Sequence, residues 1–364
     1  MSPNITDDDI AAVVAVLRSG SLVQGRKVDE FERAVAEYLG VANVVAVSSG
    51  TASLHLALVA LGIKAGDEVI VPALSHVATA NVVEVVGAKC VFVDVDKGTF
   101  NIDVSRLEEA ITPRTRAIIP VHEFGLACDI SQVLEIARRH NIFVVEDAAC
   151  ALGSTDAAKF AGTFGEIGSF SLHPRKAITS GEGGLLTTDD DAVALRLRVL
   201  RNHGIDDTHG CQDFVAAGFN YRLTDFQAAL AHSQFRRLED NLHCKRKLAD
   251  VYLTELIGEE KLSLPVVSNG KLHSWQTFHV VLGDGVDRQL LMDTLKATGI
   301  GTNYGAQCIP AVTYYREKYG LDCARLFPNA LQAYEHGLAL PIYEKLTVED
   351  IRFVCGVLKA QLNK

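Results

Sequence analysis

Lys176 is the side chain of this sequence with the clearest potential for covalent chemistry. It lies in "FSLHPRKAITSGEGGLLTTDD", residues 170–190, where a strand-like run breaks at Pro174 and a glycine-rich loop follows. A lysine near the end of a sheet, in surroundings of low polarity, has a depressed amine pKa and can act as a Schiff-base nucleophile. Most lysines are solvated surface residues, and glycines also suit an ordinary loop, so the stretch by itself leaves both interpretations open.

A second stretch, "SSGTASLHLAL" at residues 48–58, has the pattern of an anion site. A strand ends, Ser49, Gly50 and Thr51 turn the chain, and a helix begins. Unpaired N–H groups and the positive end of the helix dipole then face whatever lies at the turn. A plain turn with a hydroxyl cap has the same pattern. The glycine spacing matches neither a dinucleotide fingerprint nor a P-loop.

Two further stretches end in polar side chains. In "IFVVEDAACALG", Asp147 ends an apolar strand, at the sheet edge where ligands of open α/β folds bind, although it could also cap a following helix. A buried carboxylate there requires a cation or a donor, and a protonated pyridine nitrogen would serve. In "GFNYRLTDFQAAL", Asn220 and Arg222 precede a helix and either point into a site or belong to a structural loop.

The elements that must position these groups alternate along the chain. Short β-branched runs, from "VANVVAVSS" to "IFVVED", alternate with helical patterns such as "TASLHLALVALG" and "ISQVLEIARRHN". This alternation predicts an α/β fold with a mostly parallel central sheet flanked by helices. We predict a large domain at residues 1–235 and a smaller C-terminal α+β domain at 236–364, joined by one long helix from about residue 224. A capping box of Thr224 and Gln227 marks its start.

In the C-terminal part, strands are expected in "SWQTFHVVLG" and "GIGTNYG". Helices are expected to begin near Asp287 and Thr347.

Composition excludes several classes of function. The chain has 364 residues and a formal net charge of −10, without a basic stripe, which argues against a nucleic-acid partner. We expect no signal peptide and no membrane span, and therefore a cytoplasmic location. The eight cysteines include no C-x-x-C pair, so we expect reduced thiols and no metal site.

Together the stretches supply the parts that pyridoxal phosphate requires. These parts are a lysine for its aldehyde, an acid at its ring nitrogen, an anion site for its phosphate and a cover for its ring face. The chain presents the anion site first, then the acid and then the lysine.

Over nearly its whole length the chain also resembles the DegT/DnrJ/StrS sugar aminotransferases, which are fold type I pyridoxal-phosphate enzymes. The resemblance rests on "SSGTASLHLAL", "PALSHVATANVV", "PVHEFG", "VVEDAACALG", "FSLHPRKAITSGEGG", "LRNHG" and "GFNYRLTDFQAAL". It implies that Lys176 is the Schiff-base lysine and the proton-transferring base, and that Asp147 pairs with the ring nitrogen. It also implies phosphate contacts at Gly50, Thr51 and Ser171. Asn220 would reach the phosphate of a neighbouring subunit, which implies a homodimer; a tetramer built from dimers is compatible.

The sequence departs from the family pattern at several positions. His76 stands where many relatives stack an aromatic ring on the cofactor, and Cys150 replaces a frequent Gln or His near the cofactor hydroxyl. Arg175 replaces a frequent Thr, and "GIGTNYGAQCIP" stands where many relatives carry a His-bearing segment. We predict that His76 and Cys150 contact the cofactor. We further predict substrate contacts at His122, Tyr304 and Gln307.

The expected function is amino transfer from glutamate to a keto-sugar, a nucleotide-linked 4-keto-6-deoxyhexose. A 3-keto-sugar or a keto-cyclitol is an alternative acceptor. A sensor that keeps the scaffold without turnover is an alternative of another class, although the presence of both Lys176 and Asp147 argues against it. The nucleotide, the stereochemistry and the pathway are not encoded in any motif that we identify.

Overall fold

The structure is a computed structural model that describes residues 3–207 and 210–363. Its helices are α1 (Asp7–Ser19), α2 (Arg26–Leu39), α3 (Gly50–Ala60), α4 (Ala78–Val85), α5 (Leu107–Ala110), α6 (Ile130–His140), α7 (Asp191–Arg201), α8 (Asp225–Phe235), α9 (Leu238–Leu256), α10 (Arg288–Ala297), α11 (Thr313–Tyr319), α12 (Cys323–Leu326), α13 (Pro328–Glu335) and α14 (Val348–Leu362). Short 3₁₀ turns lie at Val104–Arg106, Glu123–Gly125 and Ile309–Ala311. Within the described ranges, no helix is long and apolar enough to cross a membrane.

The strands form one large sheet and several small ones. They are β1 (Asn43–Val47), β2 (Glu68–Pro72), β3 (Leu74–Ser75), β4 (Lys89–Val93), β5 (Thr115–Ile118), β6 (Phe143–Asp147), β7 (Thr155–Asp156), β8 (Lys159–Phe160), β9 (Ile167–Ser171), β10 (Gly184–Thr188), β11 (Ile205–Asp206), β12 (Asp213–Phe214), β13 (Leu262–Ser263), β14 (Lys271–Leu272), β15 (Phe278–Leu282), β16 (Gln307–Cys308) and β17 (Gly337–Leu340).

The large sheet has the order β1-β10-β9-β6-β5-β2-β4. The pairs from β9 through β6, β5 and β2 to β4 are parallel, and β10 runs antiparallel to both of its neighbours. The predicted α/β fold with a mostly parallel sheet is therefore confirmed. Because parallel strands point the same way, the carboxyl ends of β6 and β9 meet at one edge, and this edge carries the candidate site.

Helices on both faces bury the large sheet. Every residue of β2 is buried, and α3 is buried along nearly all of its length, so its apolar sequence has no polar face. The valines of β1 alternate between two hydrophobic clusters, since Val45 and Val47 belong to one and Val44 to the other. This period of two places one set of side chains on each face of the sheet.

The predicted long helix is two helices. The break falls at Arg236 and Arg237, where α8 ends and α9 begins. The predicted capping box at Thr224 is present, and α8 packs against α1 and α2, whereas α9 packs against α14. At the break the Arg237 guanidinium donates to Asp9 of α1 at 3.0 Å. The two helices therefore pack in two different cores. The segment has neither Gly nor Pro, yet it does not form one continuous helix.

The C-terminal part has a hydrophobic core of its own. The sheet β13-β15-β17 packs with α9, α10 and α14 around side chains such as Trp275, Phe278 and Leu295. The predicted strand at β15 and the predicted helix starts at Asp287 and Thr347 are confirmed. The predicted strand in "GIGTNYG" is wrong, because only Asn303 forms a single bridge, to Ala339.

Part of the C-terminal half packs on the first domain. Strand β16 pairs with β3, with Gln307 opposite Ser75, and Ala306 and Ile309 join the core of the large sheet. The division at residue 235 stays a prediction. The packing adds that side chains between residues 306 and 333 belong to the hydrophobic core of the large sheet.

Candidate active site

Lys176 lies just beyond the carboxyl end of β9, in a turn closed by its own N–H, which donates to the His173 carbonyl at 2.8 Å. Its Nζ donates to the Cys150 Sγ at 3.0 Å. Burial alone lowers the pKa of this amine, but the Cys150 sulfur and the Asp147 carboxylate beside it outweigh burial and raise the pKa above the usual value. The expected depression of the Lys176 pKa is therefore wrong when only the side chains of the protein act on this amine.

Asp147 is the last residue of β6 and is 5% exposed. Its Oδ2 accepts from the Thr79 hydroxyl at 2.8 Å, and its Oδ1 accepts from the Ala149 N–H at 3.1 Å. No helix begins after it within residues 148–154, which form turns, so its alternative as a helix cap is wrong. The two hydrogen bonds fix a carboxylate at the edge of the sheet, where it can hold a protonated ring nitrogen.

The start of α3 has the local geometry that the predicted anion site requires. Ser49 caps this helix by accepting from the Ala52 N–H at 3.0 Å. Gly50 lies so close to β9 that a Cβ on it would come within 2.8 Å of the Ser171 Cβ. The start of α3 therefore lies next to the Ser171 hydroxyl, at the end of the strand that precedes Lys176, and Thr51 lies exposed beside it.

His76 lies in the loop between β3 and α4 and is exposed. Its Nδ1 accepts from the Ala78 N–H at 3.2 Å, so that nitrogen carries no proton. Burial lowers the pKa of this imidazole, and the Lys176 ammonium lowers it further. A neutral ring next to Lys176 is suited to cover the face of a second ring, as predicted.

These groups fit pyridoxal phosphate. Gly50 lets the start of α3 pack against Ser171, which places backbone N–H groups suited to a phosphate beside the Ser171 hydroxyl, and Lys176 lies in the turn that follows this end of β9. Asp147 supplies the acid, and the buried Oε2 of Glu123 has no hydrogen-bond partner among the described residues, so it can meet a polar ligand atom.

His122 lies in the interior of the protein, and the predicted substrate contact at this residue is wrong. The ring is fully buried. Its Nε2 donates to Glu146 Oε2 at 2.9 Å, and its Nδ1 accepts from the Cys128 N–H at 3.1 Å. Glu146 also accepts from the N–H groups of Gly162, Phe164 and Gly165. These hydrogen bonds hold the loop after β5 and residues 162–165 against Glu146, near the end of β6. The buried imidazole therefore has no exposed surface that could contact a sugar.

The other predicted contacts lie in different places. Gln307 of β16 is paired with Ser75 of β3, the residue directly before His76. The Tyr304 ring stacks against the Arg288 guanidinium, whose central carbon lies 4.6 Å from the ring centroid. Asn220 is exposed and bridges to Asn202. Substrate contacts at Tyr304 and Gln307, and the role of Asn220, stay predictions.

Sequence reasoning missed Thr79, Glu123 and a cleft next to Lys176. The cleft has a volume of about 290 Å³ and is lined by residues that include Arg175, Gln276, Thr302 and Asn303. Thr79 follows His76 by three residues, at the start of α4, and this closeness in sequence was a usable signal. Glu123 carried no local signal, because its burial depends on residues distant in the chain.

Comparison with known proteins gives a consistent result. The profile of the DegT/DnrJ/EryC1/StrS aminotransferase family matches residues 3–359. GDP-perosamine synthase of Caulobacter vibrioides is 41% identical over 342 residues, which cover 92% of this chain and 90% of that protein. The spore coat polysaccharide biosynthesis protein SpsC of Bacillus subtilis is 37% identical over 362 residues, covering 96% and 93%. Spr1654 of Streptococcus pneumoniae, solved in a PLP form, superposes with a TM-score of 0.92 at 30% identity, covering 100% of this chain and 97% of that one.

Proposed function

The chain belongs to the DegT/DnrJ/EryC1/StrS aminotransferase family, and we propose that it transfers an amino group from glutamate to a nucleotide-linked 4-keto-6-deoxyhexose. It is a sugar aminotransferase that depends on pyridoxal phosphate. The observation that carries the proposal is the position of the Lys176 amine, beside Cys150 and close to the Asp147 carboxylate at the carboxyl edge of the sheet.

The site divides the work among a few side chains. When bound, pyridoxal phosphate supplies an aldehyde that accepts amino groups and a ring that takes up the electron pair left on a deprotonated carbon. The amides at Gly50 and Thr51 bind and orient the phosphate. Asp147 keeps a proton on the ring nitrogen, which maintains the electron-accepting state of the ring.

Lys176 has two tasks. Its amine first holds the cofactor covalently, and once released it takes the proton from the substrate carbon and returns it one carbon away. Its net raised pKa means that a carboxylate or thiol neighbour stabilises the ammonium, so the proton rests on Lys176 between transfers. His76 covers the ring face and limits the access of water.

The cleft at Arg175 supports a sugar nucleotide as the acceptor. The side chains of Gln276, Thr302 and Asn303 carry donors and acceptors suited to sugar hydroxyls. Arg175 is exposed at the same cleft and can pair with a diphosphate. A nucleotide-linked acceptor also agrees with the name of GDP-perosamine synthase, one of the relatives of this chain.

A homodimer with shared active sites is part of the proposal. The hairpin β11–β12 presents Phe214 and Val215, which are 65% and 57% exposed. Adjacent apolar side chains with this exposure are typical of a surface that another chain covers. Asn220 follows this hairpin and is exposed, so it is available to a neighbouring subunit. Light scattering of Phe214→Asp tests this: a dimeric variant would contradict the proposed interface.

The function is tested in two steps. Glutamate is first added to the holoenzyme, and the visible absorption of the cofactor and the formation of 2-oxoglutarate are followed. We expect the absorption to change as 2-oxoglutarate appears; a static spectrum would favour the sensor. Keto-sugar nucleotides made with sugar dehydratases are then added and the products analysed by mass. Conversion of 3-keto-sugars or keto-cyclitols alone would refute the 4-keto assignment.

A further inference from the structure

Glu123 is a buried acid whose backbone is firmly fixed. It begins the 3₁₀ turn Glu123–Gly125 after β5, is 5% exposed, and its N–H donates to Asn101 Oδ1 at 2.8 Å. The next residue, Phe124, has a φ of 54° and stacks on His279 with 4.4 Å between ring centroids. A non-glycine residue in this conformation is held by its surroundings, so the direction of the Glu123 side chain is determined by the fold.

One oxygen of the buried Glu123 carboxyl group, Oε2, has no hydrogen-bond partner in the described part of the chain. Burial raises the pKa of Glu123 to about 8, and the Asp147 carboxylate contributes in the same direction, whereas the Lys176 ammonium and the Ser75 hydroxyl lower it. At neutral pH the carboxyl therefore carries a proton that it can donate.

The electrostatic neighbours of Glu123 place it in the candidate site. Asp147 and Lys176 both act on its pKa, and Glu123 in turn raises the pKa of the Cys150 thiol, which burial raises first. Cys150 lies 3.0 Å from the Lys176 Nζ. Glu123 thus interacts electrostatically with the amine, the acid and the thiol.

The polar groups of pyridoxal phosphate are its aldehyde, its ring nitrogen, its phosphate and its 3-hydroxyl. The proposed function assigns the first three to Lys176, Asp147 and the start of α3. The 3-hydroxyl therefore remains for Cys150 and Glu123, which act on the pKa of Lys176 together with Asp147. A buried thiol is a weak donor, so Cys150 by itself satisfies this oxygen poorly.

We propose that Glu123 is a cofactor-binding residue whose carboxyl group donates a hydrogen bond to the 3-hydroxyl oxygen of pyridoxal phosphate, in place of the contact that Cys150 provides only weakly. The proposal rests on the cofactor assignment of the proposed function. It makes Glu123 and Cys150 a functional pair, in which a polar side chain at either position can satisfy the same cofactor oxygen.

The experiment measures cofactor affinity and spectrum. Pyridoxal phosphate is titrated into the full chain freed of cofactor, and the dissociation constant is obtained from the visible absorption. We expect Glu123→Leu to weaken binding about 10- to 100-fold, within the range for a buried acceptor that is left without its hydrogen-bond partner. Glu123→Gln keeps a neutral donor and should stay within about 3-fold of the parent chain. Adding Cys150→Gln to Glu123→Leu should recover at least about 10-fold.

A matched control and a second readout keep the test decisive. Glu68→Gln alters another buried carboxyl, at the far end of β2, and should leave the dissociation constant unchanged. If Glu123→Leu does not fold, the holoenzyme of Glu123→Gln still serves. Ionisation of Glu123 should shift the visible absorption of the parent holoenzyme as pH rises, and this shift should be absent from Glu123→Gln.

Three results would overturn the proposal. Parent-like affinity in folded Glu123→Leu would show that the carboxyl does not bind the cofactor. Equal weakening in Glu123→Gln and Glu123→Leu would show that a neutral donor is not what matters, and an identical pH titration in Glu123→Gln would exclude the ionisation. Failure of the parent chain to bind pyridoxal phosphate would instead refute the cofactor assignment.

Discussion

Replacing Thr79 by Val removes one hydroxyl from the site and keeps the side-chain shape. The Thr79 hydroxyl donates to Asp147 Oδ2 at 2.8 Å, and both residues are buried, at 0% and 5% exposure. In Thr79→Val the carboxylate keeps only its bond from the Ala149 N–H, at 3.1 Å, and can rotate away from the ring nitrogen. The variant therefore tests whether Thr79 positions Asp147 for its role at the cofactor.

The expected magnitude follows from the bond that is lost. A hydrogen bond to a charged group contributes about 1.5–3 kcal/mol. If that contribution positions Asp147 in the transition state, its loss slows the half-reaction with glutamate by about 10- to 100-fold. Thr79→Ser keeps the hydroxyl and loses a methyl group, so its rate should stay within about 3-fold while its stability falls by ~1 kcal/mol.

The assay is a single-turnover reaction of each holoenzyme with glutamate, followed by visible absorption, with urea unfolding as the measure of stability. Single turnover separates the proton transfer from product release. A rate for Thr79→Val equal to that of Thr79→Ser would refute the positioning role. Slowing of Thr79→Ser alone would indicate that packing of the methyl group, and not the hydroxyl, holds the site.

Three further predictions concern other parts of the molecule. Lys176→Ala should yield no cofactor-labelled peptide after borohydride reduction, and full activity of this variant would contradict its assignment. Gly50→Ala places a Cβ 2.8 Å from the Ser171 Cβ and should weaken pyridoxal phosphate binding about 10-fold, whereas Gly356→Ala, in open space on α14, should leave it unchanged; equal affinities would exclude the anion site at α3. Burial lowers the pKa of His279 to about 3, so the unfolded chain binds a proton that the folded chain does not, and stability should fall by up to ~1.4 kcal/mol per pH unit as pH drops from about 6.5 towards 3. His279→Phe should flatten this slope in urea unfolding, and an unchanged slope would assign the acid sensitivity to other groups.

The sequence was sufficient for the elements that local patterns determine. The alternation of apolar runs and helical patterns predicted the strands β1, β2, β4, β5 and β6 and the mostly parallel sheet, because burial on both faces requires continuous apolar strands. It also predicted where α10 and α14 begin, since Asp287 and Thr347 accept from the first turn of each helix. Ser49, at the start of α3, acts in the same way.

The sequence was less reliable where two cores compete for one segment. The stretch after Thr224 has no glycine or proline and satisfies every local condition for one helix, yet it breaks at Arg236. Helical stability in proteins comes mainly from tertiary packing, so the two cores that α8 and α9 join decided the break.

Burial of polar side chains was decided by the tertiary structure alone. His122 and Glu123 are neighbours in sequence. The His122 imidazole is held by a hydrogen bond to Glu146, whereas the Glu123 carboxyl interacts electrostatically with Lys176. Local pattern could not separate them, because the groups that distinguish them arrive from other strands.

The residue types of the site were thus determined by the sequence, and their partners by the fold. Lys176, Asp147 and Gly50 lie at turns that follow strands, which the sequence marks. The Thr79 hydroxyl reaches Asp147 from 68 positions earlier in the chain. Strand order in the sheet creates such contacts, and strand order is a property of long-range packing that no local stretch encodes.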